Sequence, residues 1–188
     1  GFDPNTGERL YRNPVTRIEN ADVKFSTTEK VHFCPGAVGG GEWNGVAFDP
    51  ANNLLFTGQD EWCSSVQLQA EAKIIATKDG ASWMGQKTGN PLNAMGQQDP
   101  HSQWAGWLYA SDADTGTWAW RAKTNYPIIS GVTPTAGGIV MFGDLGGYFY
   151  VLDSTNGKVL WNQKIGGGIG GGVITYTGAV VSTPEQRY

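Results

Sequence analysis

Hydrophobic and polar residues alternate along much of this chain in short runs that are separated by glycine- and asparagine-containing turns. The run VAFDPANNLLFTG at 46–58 has two apolar stretches around a turn, and VTPTAGGIVMFGD at 132–144 repeats that arrangement. Alternation with a period of two is the pattern of a β-strand that buries one face. Each run therefore predicts a β-hairpin, and VITYTGAVVST at 173–183 predicts a third.

A second kind of hairpin carries the spacing D-x-x-x-G-x-x-x-W. The copies are Asp112, Gly116 and Trp120; Asp153, Gly157 and Trp161, which lie 41 residues later; and Asp3, Gly7 and Tyr11, where Tyr replaces Trp. In each copy the Asp side chain can accept hydrogen bonds from turn amides, and the glycine can adopt a positive φ. We expect the aromatic residue that ends the second strand to fill a seam between two packed sheets.

Alternation of the two hairpin kinds gives four-stranded units with the period of a β-propeller blade. The fold class predicted is therefore all-β, with residues 1–188 forming about three blades' worth of a propeller. The predicted parts are half a blade at 1–11, a blade at about 31–120, a blade at about 127–161 and half a blade at 165–183. Because propellers typically have four to eight blades, we expect the remainder of the propeller to come from the same or another polypeptide.

A long insertion at about 64–105 interrupts the first predicted blade. It is rich in Gln, Gly and Asn and shows little sustained periodicity. Long loops in compact domains are usually functional or disordered. The apolar residues in it favour an ordered excursion over one face of the propeller, anchored by Trp83, Met84, Met95, His101 and Trp104.

The two cysteines flank the first hairpin. Cys34 and Cys63 lie about equally far from the turn of 46–58, so folding of this hairpin brings them near each other at its open end. We favour a disulfide, which implies an oxidising location, either periplasmic or secreted. Two separate buried thiols are the alternative.

Composition and charge exclude several classes of protein. The 188 residues are 39% hydrophobic and 16% charged, which is not the composition of a disordered chain. A net charge of -4 gives no electrostatic reason to expect nucleic acid or an anionic membrane as partner. No apolar run reaches the roughly 18 residues that a membrane-spanning helix needs.

Few residues suggest catalytic or metal chemistry on their own. His32 and His101 are too isolated in the sequence to predict a metal site. Asp60 and Glu61 are interpreted as loop or surface residues. The glycine run at 166–172 is not followed by the helix that a dinucleotide-binding fold requires, so we expect it to let the backbone turn tightly.

Four motifs make the chain resemble the C-terminal half of the PQQ-dependent (quinoprotein) alcohol dehydrogenases, which are eight-bladed propellers that bind pyrroloquinoline quinone. They are DPNTGERLYRNPVTRIEN, HFCPGAVGGGEWNGVAFDPANNLLF, GVTPTAGGIVMFGDLGGYFYVLDSTNGKVLW and GGGIGGGVITY. The resemblance covers nearly the whole chain. It implies part of a periplasmic enzyme that uses PQQ and Ca²⁺ to oxidise a small-molecule alcohol to a carbonyl. The electrons would pass to cytochrome c or another acceptor.

The resemblance also implies cofactor contacts from loops at one end of the propeller. The matching residues are Glu42, Trp43, Asn44, Ile129, Ser130 and Gly131. Two of them depart from the family, because many members carry Asn in place of Glu42 and Trp in place of Ile129. A carboxylate at position 42 would repel an anionic cofactor unless it were protonated or paired with a cation.

The family's calcium ligands, Asp general base and ring of adjacent cysteines belong to blades that precede this segment. We therefore assign no catalytic residue and no metal ligand to this chain. An alternative from another class is a non-enzymatic propeller that has lost the cofactor and serves as a binding scaffold. The departures at Glu42 and Ile129 favour that alternative, whereas the intact CPG…WNG block and the paired cysteines favour the enzyme.

Overall fold

The computed structural model describes residues 1–80, 85, 87 and 96–176, and these are nearly all β-strand, turn and loop. The elements are β1 (Val31–Phe33), β2 (Val46–Asp49), β3 (Leu54–Glu61), β4 (Ser64–Val66), α1 (Glu71–Ile75), β5 (Gln97–Gln98), a 3₁₀ turn (His101–Gln103), β6 (Ala105–Asp112), β7 (Trp118–Thr124), β8 (Thr133–Pro134), β9 (Ile139–Gly143), β10 (Tyr148–Asp153) and β11 (Val159–Lys164). Within this part of the chain, no helix has the length and apolar character needed to cross a membrane.

Two four-stranded antiparallel sheets confirm the predicted fold class. The first has the order β2-β3-β6-β7 and the second has the order β11-β10-β9-β8. The first sheet begins at Val46 instead of about residue 31, so the predicted start of that blade is wrong. The reason is that β1 pairs with β4, with Val31 opposite Val66, in a separate three-stranded sheet with β5.

The core lies between the two four-stranded sheets. Phe56 and Leu108 of the first sheet face Phe142 and Leu152 of the second, and all four side chains are fully buried. Ile128, in the connection between the sheets, is also fully buried. Removal of this apolar surface from water is the main stabilising contribution at the contact.

The repeat forms the turn that its spacing predicts. The Asp112 carboxylate accepts a hydrogen bond from the Thr115 amide at 2.9 Å, and Gly116 has a φ of 69°. The Asp3 carboxylate accepts the equivalent bond from the Thr6 amide at 2.8 Å, and the Asp153 carboxylate accepts one from the Thr155 amide, two residues on, also at 2.8 Å. The glycines of both copies have a φ of 72°.

The aromatic residue of one copy packs against the glycine of the next copy, as expected for an inter-sheet seam. A Cβ atom added to Gly157 would lie 2.5 Å from the Trp120 ring, and Trp120 donates its indole N–H to the Ser154 carbonyl at 3.0 Å. The Tyr11 ring occupies the same position over Gly116. Its hydroxyl donates to the carbonyl of Ala113 at 2.8 Å, and Ala113 and Ser154 each directly follow the Asp of their copy.

Trp161, by contrast, is 46% exposed, so the prediction that it fills a seam is wrong for the described residues. It lies on the edge strand β11, and no further sheet among these residues covers it. The predicted hairpin at 173–183 would follow, but 173–176 form no strand and 177–183 lie outside the described residues.

Within the described residues, Trp104 anchors the insertion. Its ring packs edge-on against Trp62 with the centroids 5.4 Å apart, and its indole N–H donates to the Asp99 carbonyl at 2.8 Å. His101 lies against the same indole ring. The other predicted anchors, Trp83, Met84 and Met95, lie outside the described residues.

The predicted disulfide between Cys34 and Cys63 is present and closes a loop of 29 residues. The loop-entropy estimate for such a closure is about 3–4 kcal/mol of stabilisation. His32 lies beside the two cysteines. Their sulfurs are bonded to each other, however, and the His32 ring lies 3.0 Å from the Asp99 carboxylate, so these groups form no metal site in this state.

Candidate functional site

Three loops lie together near the C-terminal end of β3. They are residues 40–44, 127–131 and 166–173, and we call them the three-loop site. Asn44 joins the first loop to the second. Its side-chain amide donates to the Ile128 carbonyl at 3.0 Å and to the Gly58 carbonyl of β3 at 3.2 Å.

The second loop is joined to the glycine run. The Gly131 amide donates to the Gly171 carbonyl at 3.1 Å, and the Thr133 hydroxyl donates to the Val173 carbonyl. A Cβ atom at Gly131 would lie 3.1 Å from the Gly172 Cα, so the two backbones approach closely. The glycine run thus lies against the second loop. Residues 165–176 form no strand, so the described part of the half blade predicted at 165–183 is not a hairpin.

All six predicted cofactor residues lie in the three-loop site, but their side chains differ in how far they are exposed to solvent. Trp43 is 73% exposed and Glu42 is half-buried on the first loop. Ile129 is half-buried against Gly170. Ser130 is fully buried, and its hydroxyl both donates to the Gly143 carbonyl at 2.9 Å and accepts from the Gly143 amide at 2.8 Å. Its side chain therefore supports the loop from β9.

Asp60 is the site residue that sequence reasoning missed. The surface interpretation is wrong, because Asp60 is fully buried in β3 and its amide donates to the Gly40 carbonyl of the first loop at 2.9 Å. Neither carboxylate oxygen has a hydrogen bond of good geometry among the described residues, and the one backbone group close enough to favour its charge is the Ile128 amide. The alternation of β3 could have predicted this burial. Leu54, Phe56 and Asp60 are all at even-numbered positions, so their side chains lie on the same, inner face of the strand.

Burial, the largest cause, and the negative charge of Glu42 together raise the pKa of Asp60 to about 8, although the backbone amide of Ile128 lowers it. Asp144 gives a useful comparison because it is also fully buried. Its carboxylate accepts hydrogen bonds from the Tyr148 amide and the Tyr150 hydroxyl, both at 3.0 Å. Burial raises the pKa of Asp144 too, whereas these two hydrogen bonds lower it.

Glu61 points to the other face of β3 and belongs to a different set of contacts. Its carboxylate accepts the Trp107 indole N–H at 2.7 Å and lies 3.8 Å from the Arg17 guanidinium. That other face also carries a groove lined by Phe2, Tyr11 and Val46, among others. The groove contains none of the predicted cofactor residues, so we do not assign the site to it.

The three-loop site has the surfaces that a flat ligand needs. The exposed indole of Trp43 offers an aromatic face for stacking. Cβ atoms added to Gly167, Gly171 and Gly172 would meet no atom within 4 Å, so the backbone of the glycine run borders open space. The half-buried Glu42 would repel a negatively charged ligand unless its charge were neutralised.

Comparison with known proteins gives one family and several relatives. A family model described as "PQQ: Glucose/ethanol/alcohol dehydrogenase, beta-propeller domain" matches residues 8–182. A lanthanide-dependent methanol dehydrogenase from Methylacidiphilum fumariolicum is 32% identical over 146 residues, which are 78% of this chain and 23% of that protein. The quinoprotein alcohol dehydrogenase PedE from Pseudomonas putida is 30% identical over 175 residues, which are 93% of this chain and 26% of that protein.

A solved structure shows the same likeness. A europium-containing methanol dehydrogenase superposes with a TM-score of 0.68 at 25% identity, over 91% of this chain and 31% of that one. The chain thus spans about a quarter of the length of the curated relatives it matches.

Proposed function

The chain belongs to the PQQ-dependent glucose/ethanol/alcohol dehydrogenase β-propeller family, and on that premise we propose that it forms part of the cofactor-binding wall of an alcohol dehydrogenase. The substrate would be a small alcohol or a similar hydroxyl compound, oxidised to a carbonyl. The observation that carries the proposal is the convergence of all six family-matched residues at the three-loop site.

The residues present fit PQQ, which is planar and carries carboxylates. Trp43 would hold one face of the ring system, and the glycine run would let the backbone approach its edge. Asn44 would keep the first two loops in place, because its amide is already bonded to two backbone carbonyls. When bound with its metal, PQQ supplies the hydride acceptor, and the metal acts as a Lewis acid.

The metal proposed is Ca²⁺, with its ligands outside this chain. The names of a lanthanide-dependent relative and a europium-containing structure favour a trivalent lanthanide as the alternative. The chain's contribution is to orient the cofactor and to exclude water from one side of it. The base that takes the hydroxyl proton would also lie outside the chain.

The partners and location follow from the same premise. A relative from Methylobacterium organophilum, 28% identical over 144 residues, is named methanol dehydrogenase [cytochrome c] subunit 1, which supports a cytochrome c as electron acceptor. The disulfide supports a periplasmic location. The exposed Trp161 supports the presence of a further blade beyond β11, in the same or another polypeptide.

Reconstitution tests the proposed function. The complete protein, stripped of cofactor, should oxidise primary alcohols with an artificial electron-accepting dye only after addition of PQQ and either Ca²⁺ or a lanthanide. Dye reduction and the visible absorption of bound PQQ are the measurements. PQQ that does not bind under any of these metal conditions would favour the scaffold alternative, in which the departures at Glu42 and Ile129 have removed the cofactor site.

A further inference from the structure

The Asp60 carboxyl group is fully buried beside the first and second loops of the three-loop site. Each of its two oxygens exposes less than 1 Å² to solvent, and neither has a hydrogen bond of good geometry among the described residues. The Ile128 backbone amide favours the charged form, but burial outweighs it. The Asp60 amide is bonded to Gly40, which places β3 directly against the loop that carries Glu42. A charge in such a position is costly unless a counter-charge or hydrogen bonds compensate for it.

Within the described part of the chain, no positively charged side chain contributes to the pKa of Asp60. The first loop contributes Glu42, whose charge repels that of Asp60. The second loop contributes Ile128, Ile129 and Ser130, which are uncharged.

The segment before β1 packs against Asp60 without compensating its charge. Thr16 donates its hydroxyl to the Asp60 backbone carbonyl at 2.9 Å, so this bond does not reach the carboxyl group. The nearest arginine in that segment, Arg17, is bonded to Glu19 and lies near Glu61, which points to the other face of β3.

The negative charge of Asp60 could be neutralised by a metal cation or by a proton. The burial of both carboxyl oxygens favours the proton. A hydrated metal ion needs several oxygen ligands and room for them, whereas both Asp60 oxygens are covered. A proton needs no such space. We propose that the buried Asp60 holds a proton at neutral pH beside Glu42, and that this proton lets the three-loop site accept an anionic cofactor.

The second half of this proposal rests on the proposed function, since PQQ is the anion concerned. The negative charge of Glu42 disfavours ionisation of Asp60. A bound anion makes that ionisation still less favourable. Binding of PQQ at alkaline pH, where Asp60 has begun to lose its proton, should therefore take up a proton.

Infrared spectroscopy of the complete protein without cofactor tests the proton itself. The wild type should show the C=O absorption of a protonated carboxylic acid at pH 7 that disappears on titration to pH 10. Asp60→Asn should lack this band, and Glu42→Gln should keep it but lose it at lower pH. Asp153→Asn, which changes a carboxylate whose pKa is lowered by hydrogen bonds from Thr155, is the control and should keep the band. Identical carboxyl spectra for wild type and Asp60→Asn would overturn the proposal.

Calorimetry tests the coupling to PQQ. Titration of PQQ into the metal-loaded protein in two buffers of different ionisation enthalpy gives the number of protons taken up. Above pH 8 the wild type should take up as much as one proton for each PQQ bound. Its affinity for PQQ should then fall by up to tenfold for each unit that the pH rises. Asp60→Asn should take up fewer protons than the wild type. PQQ binding without proton uptake would overturn the coupling. Absence of PQQ binding, with the infrared band still dependent on Asp60, would refute the proposed function and leave the protonated Asp60 standing.

Discussion

Replacement of Trp120 by alanine should lower the free energy of unfolding of the 188-residue chain by about 3–5 kcal/mol. Trp120 fills the seam between the two four-stranded sheets, where its ring contacts Gly157 and packs 5.7 Å from the ring of Phe56. The substitution removes this packing and leaves the Ser154 carbonyl without the indole donor that it has at 3.0 Å. Urea denaturation followed by circular dichroism is the measurement.

Trp161→Ala is the matched control, because Trp161 occupies the same position in its copy of the repeat but is 46% exposed. Its contact is an edge-on arrangement with Phe149, whose ring centre lies 6.2 Å away. We therefore expect a clearly smaller loss of stability than for Trp120→Ala. Equal losses for the two variants would show that the seam contact is not what makes Trp120 important.

Asp60→Asn should change how the free energy of unfolding depends on pH. In the folded protein the pKa of Asp60 is raised to about 8 by burial and by Glu42, whereas the unfolded value is about 3.9. Between these two values the folded state holds one proton more than the unfolded state. The wild type should therefore lose stability as the pH rises through this interval, by about 1.4 kcal/mol per pH unit.

The asparagine variant cannot ionise at this position and should lack that loss. Relative to the wild type, its stability should rise by about 3 kcal/mol between pH 5 and pH 7. Asp153→Asn is the control. Hydrogen bonds from Thr155 lower the pKa of this exposed carboxylate, so both of its states are already ionised in that interval. If the wild type and Asp60→Asn showed parallel stability curves from pH 5 to pH 7, Asp60 would be ionised in the folded protein.

The repeat could be predicted from the sequence because its chemistry is local. An Asp that bonds to turn amides and a glycine with positive φ act within five residues, so their spacing alone identifies the turn. The seam contact of Trp120 followed from the same repeat, since the neighbouring sheet is part of the chain. The same rule failed for Trp161, because burial depends on a neighbour that the described residues do not include.

The start of the first sheet and the burial of Asp60 depended on contacts that sequence spacing does not show. Val31 to Phe33 could extend the blade or pair elsewhere, and pairing with β4 across the insertion decided the outcome. For Asp60, strand alternation favoured the inner face of β3. The general preference of carboxylates for water led to the surface interpretation, although the alternation pointed the other way.

The most direct test of the account is the affinity of the complete protein for PQQ in the presence of its metal, measured for the wild type, Trp43→Ala and Trp118→Ala. Trp43 is 73% exposed at the three-loop site, whereas Trp118 is 42% exposed on β7 and serves as the control. Loss of the aromatic face should weaken binding by roughly fivefold or more, which corresponds to about 1 kcal/mol. We predict that Trp43→Ala shows this loss at nearly unchanged thermal stability while Trp118→Ala binds PQQ like the wild type. Unchanged affinity in Trp43→Ala, or equal losses in both variants, would contradict the assignment of the cofactor to the three-loop site.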